Sequence, residues 1–164
     1  MSKAQSVGGL IVLTAAMLFA RLGSAQELVQ GQKPLPSVDD VAAMLKQPLA
    51  SVFAKFGAPV DVFVTGAKSK DPGVIADYGK FGFEIHDKKV TNCNFWAEWP
   101  GVVFGAKIGD GPDDMVKAMG KPAEDIKNAD GTEMMTWHAS DKKFNISVTF
   151  TKKHISDGVI IEPE

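Results

Sequence analysis

The sequence predicts an α+β protein of two tandem units, each a set of short helices packed on one face of a three- to four-stranded antiparallel sheet. Three observations carry this. A short amphipathic run ends twice in Gly-x-Pro, at Gly57-Ala-Pro59 and at Gly120-Lys-Pro122. After each stop the hydrophobic period changes from that of a helix to that of a strand. The two stretches also align loosely, Leu45–Pro59 on Ile108–Pro122 and Phe83–Val90 on Val148–Ile155, with agreement in turn residues and apolar positions.

The N-terminus has the build of a secretory leader over residues 1–25. Lys3 supplies the positive start, Val7 to Ala20 is an apolar run, and Gly23-Ser24-Ala25 offers small residues for cleavage. A spanning helix needs about 20 apolar residues. Arg21 behind the run leaves a retained anchor as the alternative. Residues 26–37 are polar with two prolines and read as a flexible lead-in. The first unit is then 38–100 and the second 101–164.

Within the first unit, Ser37 can cap a helix with Asp40 at its third position, and Val38, Val41, Ala42 and Leu45 share one face. A second helix runs to Gly57. Pro48 and Pro112 suit first helical turns, where the missing N–H costs nothing. In the second unit Asp110 is the expected N-cap, with Asp113 and Asp114 at the positive end of the helix dipole. Gly57 and Gly120 are expected in the left-handed conformation that closes a helix, with Pro59 and Pro122 forbidding its continuation. Strands follow. Phe81, Phe83 and Ile85 alternate with polar or small residues, and so do Phe144, Ile146, Val148 and Phe150. Asp87-Lys88-Lys89, Asp130-Gly131 and Lys152-Lys153 mark hairpin tips.

Composition narrows the function classes. Hydrophobic residues are 45% and charged residues 23%, the mix of a soluble globular chain. Lys3 and Arg21 fall in the leader, so the exported chain would carry 16 basic against 20 acidic residues, net −4, with no arginine. That argues against nucleic-acid binding. Cys93 is the one cysteine, so no internal disulfide forms, and its alternation with Asn92 and Asn94 places it on the face of Phe81 and Phe83. A thiol packed there has a raised pKa and is a poor nucleophile. His86, His138 and His154 lack the spacing of a zinc site, so no metal and no cofactor is expected. The paired carboxylates at Asp39-Asp40 and Asp113-Asp114 serve helix starts. Asn145-Ile146-Ser147 fits a glycosylation sequon inside a strand.

Ile108-Gly-Asp before a short helix, then Gly120-Lys-Pro122, Trp137 and a hairpin, resembles one repeat of the β-lactamase-inhibitory-protein-like fold. It is also similar to the small outer-membrane lipoprotein family of the β-barrel assembly machinery. The tandem form over Val38 to Pro163 resembles the inhibitor more, and the resemblance implies a concave sheet that grips a protein partner. The chain departs from both patterns. The inhibitors carry paired cysteines in each half, and the lipoproteins begin with a lipidated cysteine. No inhibitory residue carries over.

The densest functional signal is Phe95-Trp96-Ala-Glu-Trp99, which holds two of the three tryptophans. Tryptophan is enriched in interaction hot spots and equally at home in a core. On a strand Phe95 and Trp96 point to opposite faces, so burial of Phe95 puts Trp96 on the open face. Trp96, Trp99, Tyr78 and Trp137 are the candidate binding residues, and each competes with a core placement. The expected activity is non-enzymatic recognition of a protein partner by a periplasmic or secreted module. The alternatives are an apolar small ligand in a gap between helices and sheet, or a hydrolase. The hydrolase requires His86 or His138 beside Cys93 or an acidic pair.

Overall fold

The computed structural model describes residues 34–67 and 72–164, with the folded unit spanning Pro36–Glu164. The expected leader and residues 26–33 of the lead-in lie outside the described residues. Among the described residues there are three short helices: α1 (Val38–Ala42), α2 (Leu49–Phe56) and α3 (Pro112–Met119). The strands are β1 (Asp61–Thr65), β2 (Gly73–Asp77), β3 (Phe81–His86), β4 (Lys89–Trp96), β5 (Val102–Val103), β6 (Ala106–Lys107), β7 (Glu124–Lys127), β8 (Glu133–Ala139), β9 (Phe144–Phe150) and β10 (Ser156–Pro163).

The chain is mostly β, and this corrects the two-unit expectation. Eight strands form one antiparallel sheet in the order β1-β2-β3-β4-β10-β9-β8-β7, and β5 and β6 form a separate small hairpin. The two groups of four strands are fused where β10 pairs with β4, Val159 opposite Phe95 and Ile161 opposite Cys93. The physical reason is the edge. As separate sheets, β4 and β10 would each present a row of unpaired N–H and C=O groups. Pairing them removes both edges and leaves β1 and β7 at the margins. β1 exposes Val62, Phe63 and Val64, whereas β7 reads Glu-Asp-Ile-Lys.

Local chemistry explains the elements. Ser37 Oγ accepts from Asp40 N–H at 3.1 Å, the expected cap of α1. Its hydroxyl also donates to Asp40 Oδ2 at 2.6 Å, and Lys55 Nζ pairs with Asp40 Oδ1 at 2.7 Å. The Lys55 and Ser37 hydrogen bonds hold the Asp40 carboxyl below the usual carboxylate range. The cap of α3 is Gly111, with Pro112 at the first helical position, so Asp110 does not cap it. Pro48 likewise stands at the cap of α2, one place before the helix. Gly57 (φ 84°, ψ −159°) and Gly120 (φ 83°, ψ −168°) do end their helices with positive φ. Their ψ lies outside the left-handed helical well, in a region essentially reserved for glycine. Asp87 and Lys88 both have positive φ, as a two-residue hairpin turn with the right twist requires.

One core lies between the sheet and the elements on its covered face. Phe83, Cys93, Phe95, Val148, Val159 and Ile161 rise from the sheet and are fully buried. Val41, Val52 and Met115 come down on them from α1, α2 and α3, and Val103 and Ala106 from the small hairpin. The Cys93 thiol donates to Val41 O at 3.3 Å, and burial pushes its pKa well up. Among the described residues no helix is long and apolar enough to cross a membrane.

Candidate functional site

Strand alternation decides which residues reach the second, open face. Asn94 pairs with Gly82 on β3 and Ile160 on β10, and Trp96 pairs with Gly158. Thr149 and Ser147 continue these rows on β9, and Met134 and Thr136 on β8. Among the described residues no helix or strand lies over this face. It carries amides, hydroxyls and glycine together with the carboxylates Glu84, Asp157 and Glu162, the imidazoles His86 and His138, and a few large apolar side chains.

Trp96 is the one candidate that lies on this face. It ends β4, half-buried, and its indole lies over Gly82. A Cβ on Gly82 would collide with the ring, so glycine is required there. The other three candidates belong to the covered face, which corrects their placement as binding residues. Trp99 is 7% exposed and packs edge-on against Phe95, ring centres 4.8 Å apart. The chain turns after Trp96 and carries Trp99 back over the core. Trp137 is 5% exposed and donates from Nε1 to Gly120 O at 2.9 Å. Tyr78 packs among Phe56, Phe81 and Phe83 and donates its hydroxyl to Gly57 O at 2.9 Å. Burial raises the Tyr78 phenol above its usual pKa. Tyr78 and Trp137 are structural latches between a helix end and the sheet.

Two polar networks run across the open face. Glu84 accepts from Thr65 Oγ1 at 2.9 Å and Asn92 Nδ2 at 2.9 Å, and lies 3.2 Å from His86 Nε2. The carboxylate ties β1, β3 and β4 together. His86 is thus beside Glu84 and on the opposite face from Cys93, so the Cys–His pair a hydrolase would need does not assemble. His138 Nδ1 lies 2.6 Å from Asn145 Oδ1, the sequon asparagine. The second network links Thr136, Ser147 and Glu162, with hydroxyls 2.9 Å apart and Ser147 Oγ donating to Glu162 Oε1 at 3.3 Å.

The residue that sequence reasoning passed over is Asn94. It is 9% exposed, and its Nδ2 has no hydrogen-bond partner. It lines a groove of about 220 Å³ with Trp96, Thr149, Asp157, Gly158 and Ile160. The signal was the alternation itself, which sets Asn92, Asn94 and Trp96 on one face. A larger recess of about 400 Å³ lies on the helix side, lined by Ala42, Leu45 and Phe144 but also by Lys46, Lys142 and Lys143. It is open and cationic, unlike the dry gap an apolar ligand would fill. Among the described residues no three His, Cys, Asp or Glu side chains converge as a metal ion would need.

No family model and no curated protein matches the sequence. Solved structures do resemble the fold. An extracellular protein containing a SCP domain from Bacillus anthracis str. Ames superposes with a TM-score of 0.52 at 16% identity, over 81% of this chain and 48% of that one. The chain thus spans about half the length of that protein. A DUF4309 family protein from Bacillus subtilis gives 0.49 at 11% identity, over 77% of this chain and 93% of that one. A cysteine-rich secretory protein from Staphylococcus aureus gives 0.45 at 11% identity, over 74% and 45%. The first likeness concerns the fold, and none of the three bears on the inhibitor-like resemblance.

Proposed function

We propose that this chain is an exported, non-enzymatic binding module that recognises a protein partner through the open face of its sheet. One observation carries the reading: every described helix packs on one face, and the other presents Trp96 beside the half-buried Asn92, Thr149 and Gly158. That mixture is the chemistry of adaptable protein recognition, a rigid aromatic anchor surrounded by small hydrogen-bonding groups. Export is supported by the leader-like residues 1–25 and by the extracellular nature of the B. anthracis protein that shares the fold. The non-enzymatic reading is supported by the inert Cys93 and by Glu84, whose carboxylate is occupied as a cross-strand tie.

The test is affinity capture from an extracellular or periplasmic fraction with wild type and a Trp96→Ala variant. Wild type should retain a defined protein that the variant loses, while both remain folded and unfold in one cooperative transition. Equal retention by the two would remove Trp96 and the open face from the function.

A further inference from the structure

We infer that the partner presents a basic surface, whose lysine and arginine side chains meet carboxylates fixed across the open face. The inference rests on the reading of that face as the recognition surface and adds the chemistry of what is recognised there.

Charge is divided unequally between the two faces of the sheet. Over the whole chain 18 basic residues stand against 20 acidic ones. On the open face that balance is lost. Strand register places Asp61, Asp77, Glu84, Glu124 and Glu162 there, and Thr149 Oγ1 holds Asp157 on the same side with a 2.8 Å hydrogen bond. Among the described strand residues, Lys89 at the β3–β4 turn is the one lysine that shares the face.

The lysine ion pairs lie elsewhere. Among the described residues they are made by carboxylates of α1, of the turn before α3 and of the covered face of β7 and β8. The open-face carboxylates are held by uncharged donors. Glu84 accepts from Thr65 and Asn92, Glu162 from Ser147, Asp61 from the Val62 N–H and Asp77 from the Gly79 N–H. Such donors fix a carboxylate in place and leave its charge uncancelled. Among the described residues only Glu84 has a basic side chain in reach, His86 Nε2 at 3.2 Å.

Asp61 stands directly opposite Asp77 in the register. Like charges in that position destabilise a sheet. Folding alone does not call for the pair, and a cation brought by a partner offsets it. Trp96 sits inside the same field. Its indole lies over Gly82, whose register partner is Asp77, and its own register partner Gly158 follows Asp157. An indole face attracts ammonium and guanidinium groups. These features sort the occupants. A nucleic acid or an acidic protein is repelled. A purely apolar surface would strip water from the carboxylates without replacing its hydrogen bonds. A basic surface brings opposite charge and donors to the carboxylates and a cation to the indole.

The test uses the ¹⁵N-labelled protein and the peptide Ac-Lys-Gly-Lys-Gly-Lys-amide, with matched peptides carrying Gln or Glu in place of Lys. The lysine peptide should move the Trp96 indole resonance and the amides of β2, β4 and β10, more at low than at physiological salt. The Gln and Glu peptides should not. Asp77→Asn and Asp157→Asn keep the accepting oxygen and remove the charge, so each should weaken the response about two- to fivefold. Asp125→Asn makes the same charge change on the covered face and should leave the response unaltered. An equal loss for Asp125→Asn would mark bulk attraction to an acidic protein, and an equal response to the Gln peptide an uncharged site. Broadening with protein concentration in the absence of peptide would mark a second copy as the occupant, and silence from all three peptides no preference for cations. Each of these outcomes overturns the proposal. Capture of a partner that is lost on Trp96→Ala but kept by Asp77→Asn and Asp157→Asn would leave the protein-partner reading standing and remove the basic surface. Equal retention by wild type and Trp96→Ala, with the lysine response intact, would do the reverse.

Discussion

The two ends of the eight-stranded sheet fasten a helix terminus in the same way with different side chains. At the β1–β4 end Tyr78 donates to Gly57 O, and at the β7–β10 end Trp137 donates to Gly120 O, both at 2.9 Å. The glycines share one unusual conformation. The surroundings differ. Tyr78 is half-buried in a cluster of phenylalanine rings, whereas Trp137 is sealed in a core shared with Met115 and Met135. Bond length is therefore no guide to what each latch contributes. The environment of the donor decides it, because water can replace a partner only where water reaches.

The comparison can be broken most directly by truncation. Trp137→Ala should destabilise by about 3–5 kcal/mol in urea unfolding, and Tyr78→Ala by clearly less. Equal losses would show that burial does not set the difference. Both variants should still unfold in one transition by fluorescence and far-ultraviolet dichroism, since the β4–β10 ladder joins the ends. Gly57→Ala and Gly120→Ala should each cost about 1–3 kcal/mol, and equally, because the backbone strain is the same and space is not the obstacle at Gly120. Tyr78→Phe should cost only about 0.5–1.5 kcal/mol.

The smallest effects lie at α1, which is fastened at its start by a polar cap. Ser37→Ala should cost about 0.5–2 kcal/mol. Asp40 is held below the usual carboxylate range by Lys55 and then Ser37, so its contribution is present above that range and is lost as pH falls through its lowered value. Asp40→Asn should then be slightly less stable than wild type at neutral pH. The gap should close in acid, as followed by thermal unfolding at several pH values.

Much of the local structure was legible because it is written in short-range chemistry. The Gly-x-Pro stops, the Ser37 cap and the alternation of β3 and β9 each follow from residues a few places apart. The fusion of the sheet was not legible. Pairing of β4 with β10 brings together residues such as Phe95 and Val159, and no local pattern encodes it. The same limit governed the site. Trp96 could be assigned to the open face because Phe95 beside it had to be buried. Trp99 lies beyond the strand, where alternation gives no direction, and Trp137 needed the helix stop at Gly120 to explain its hydrogen bond. Asn94 carried its signal in plain alternation, but only the fold shows that its amide is left unanswered.

The unlike margins of the sheet have a consequence for self-association. The β1 margin offers valines and a phenylalanine to any strand that approaches, while the acidic-basic run of β7 discourages adhesion. Two molecules that zipped together along β1 would use up their adhesive border and present only the charged one outward. Growth by that route would end at a pair.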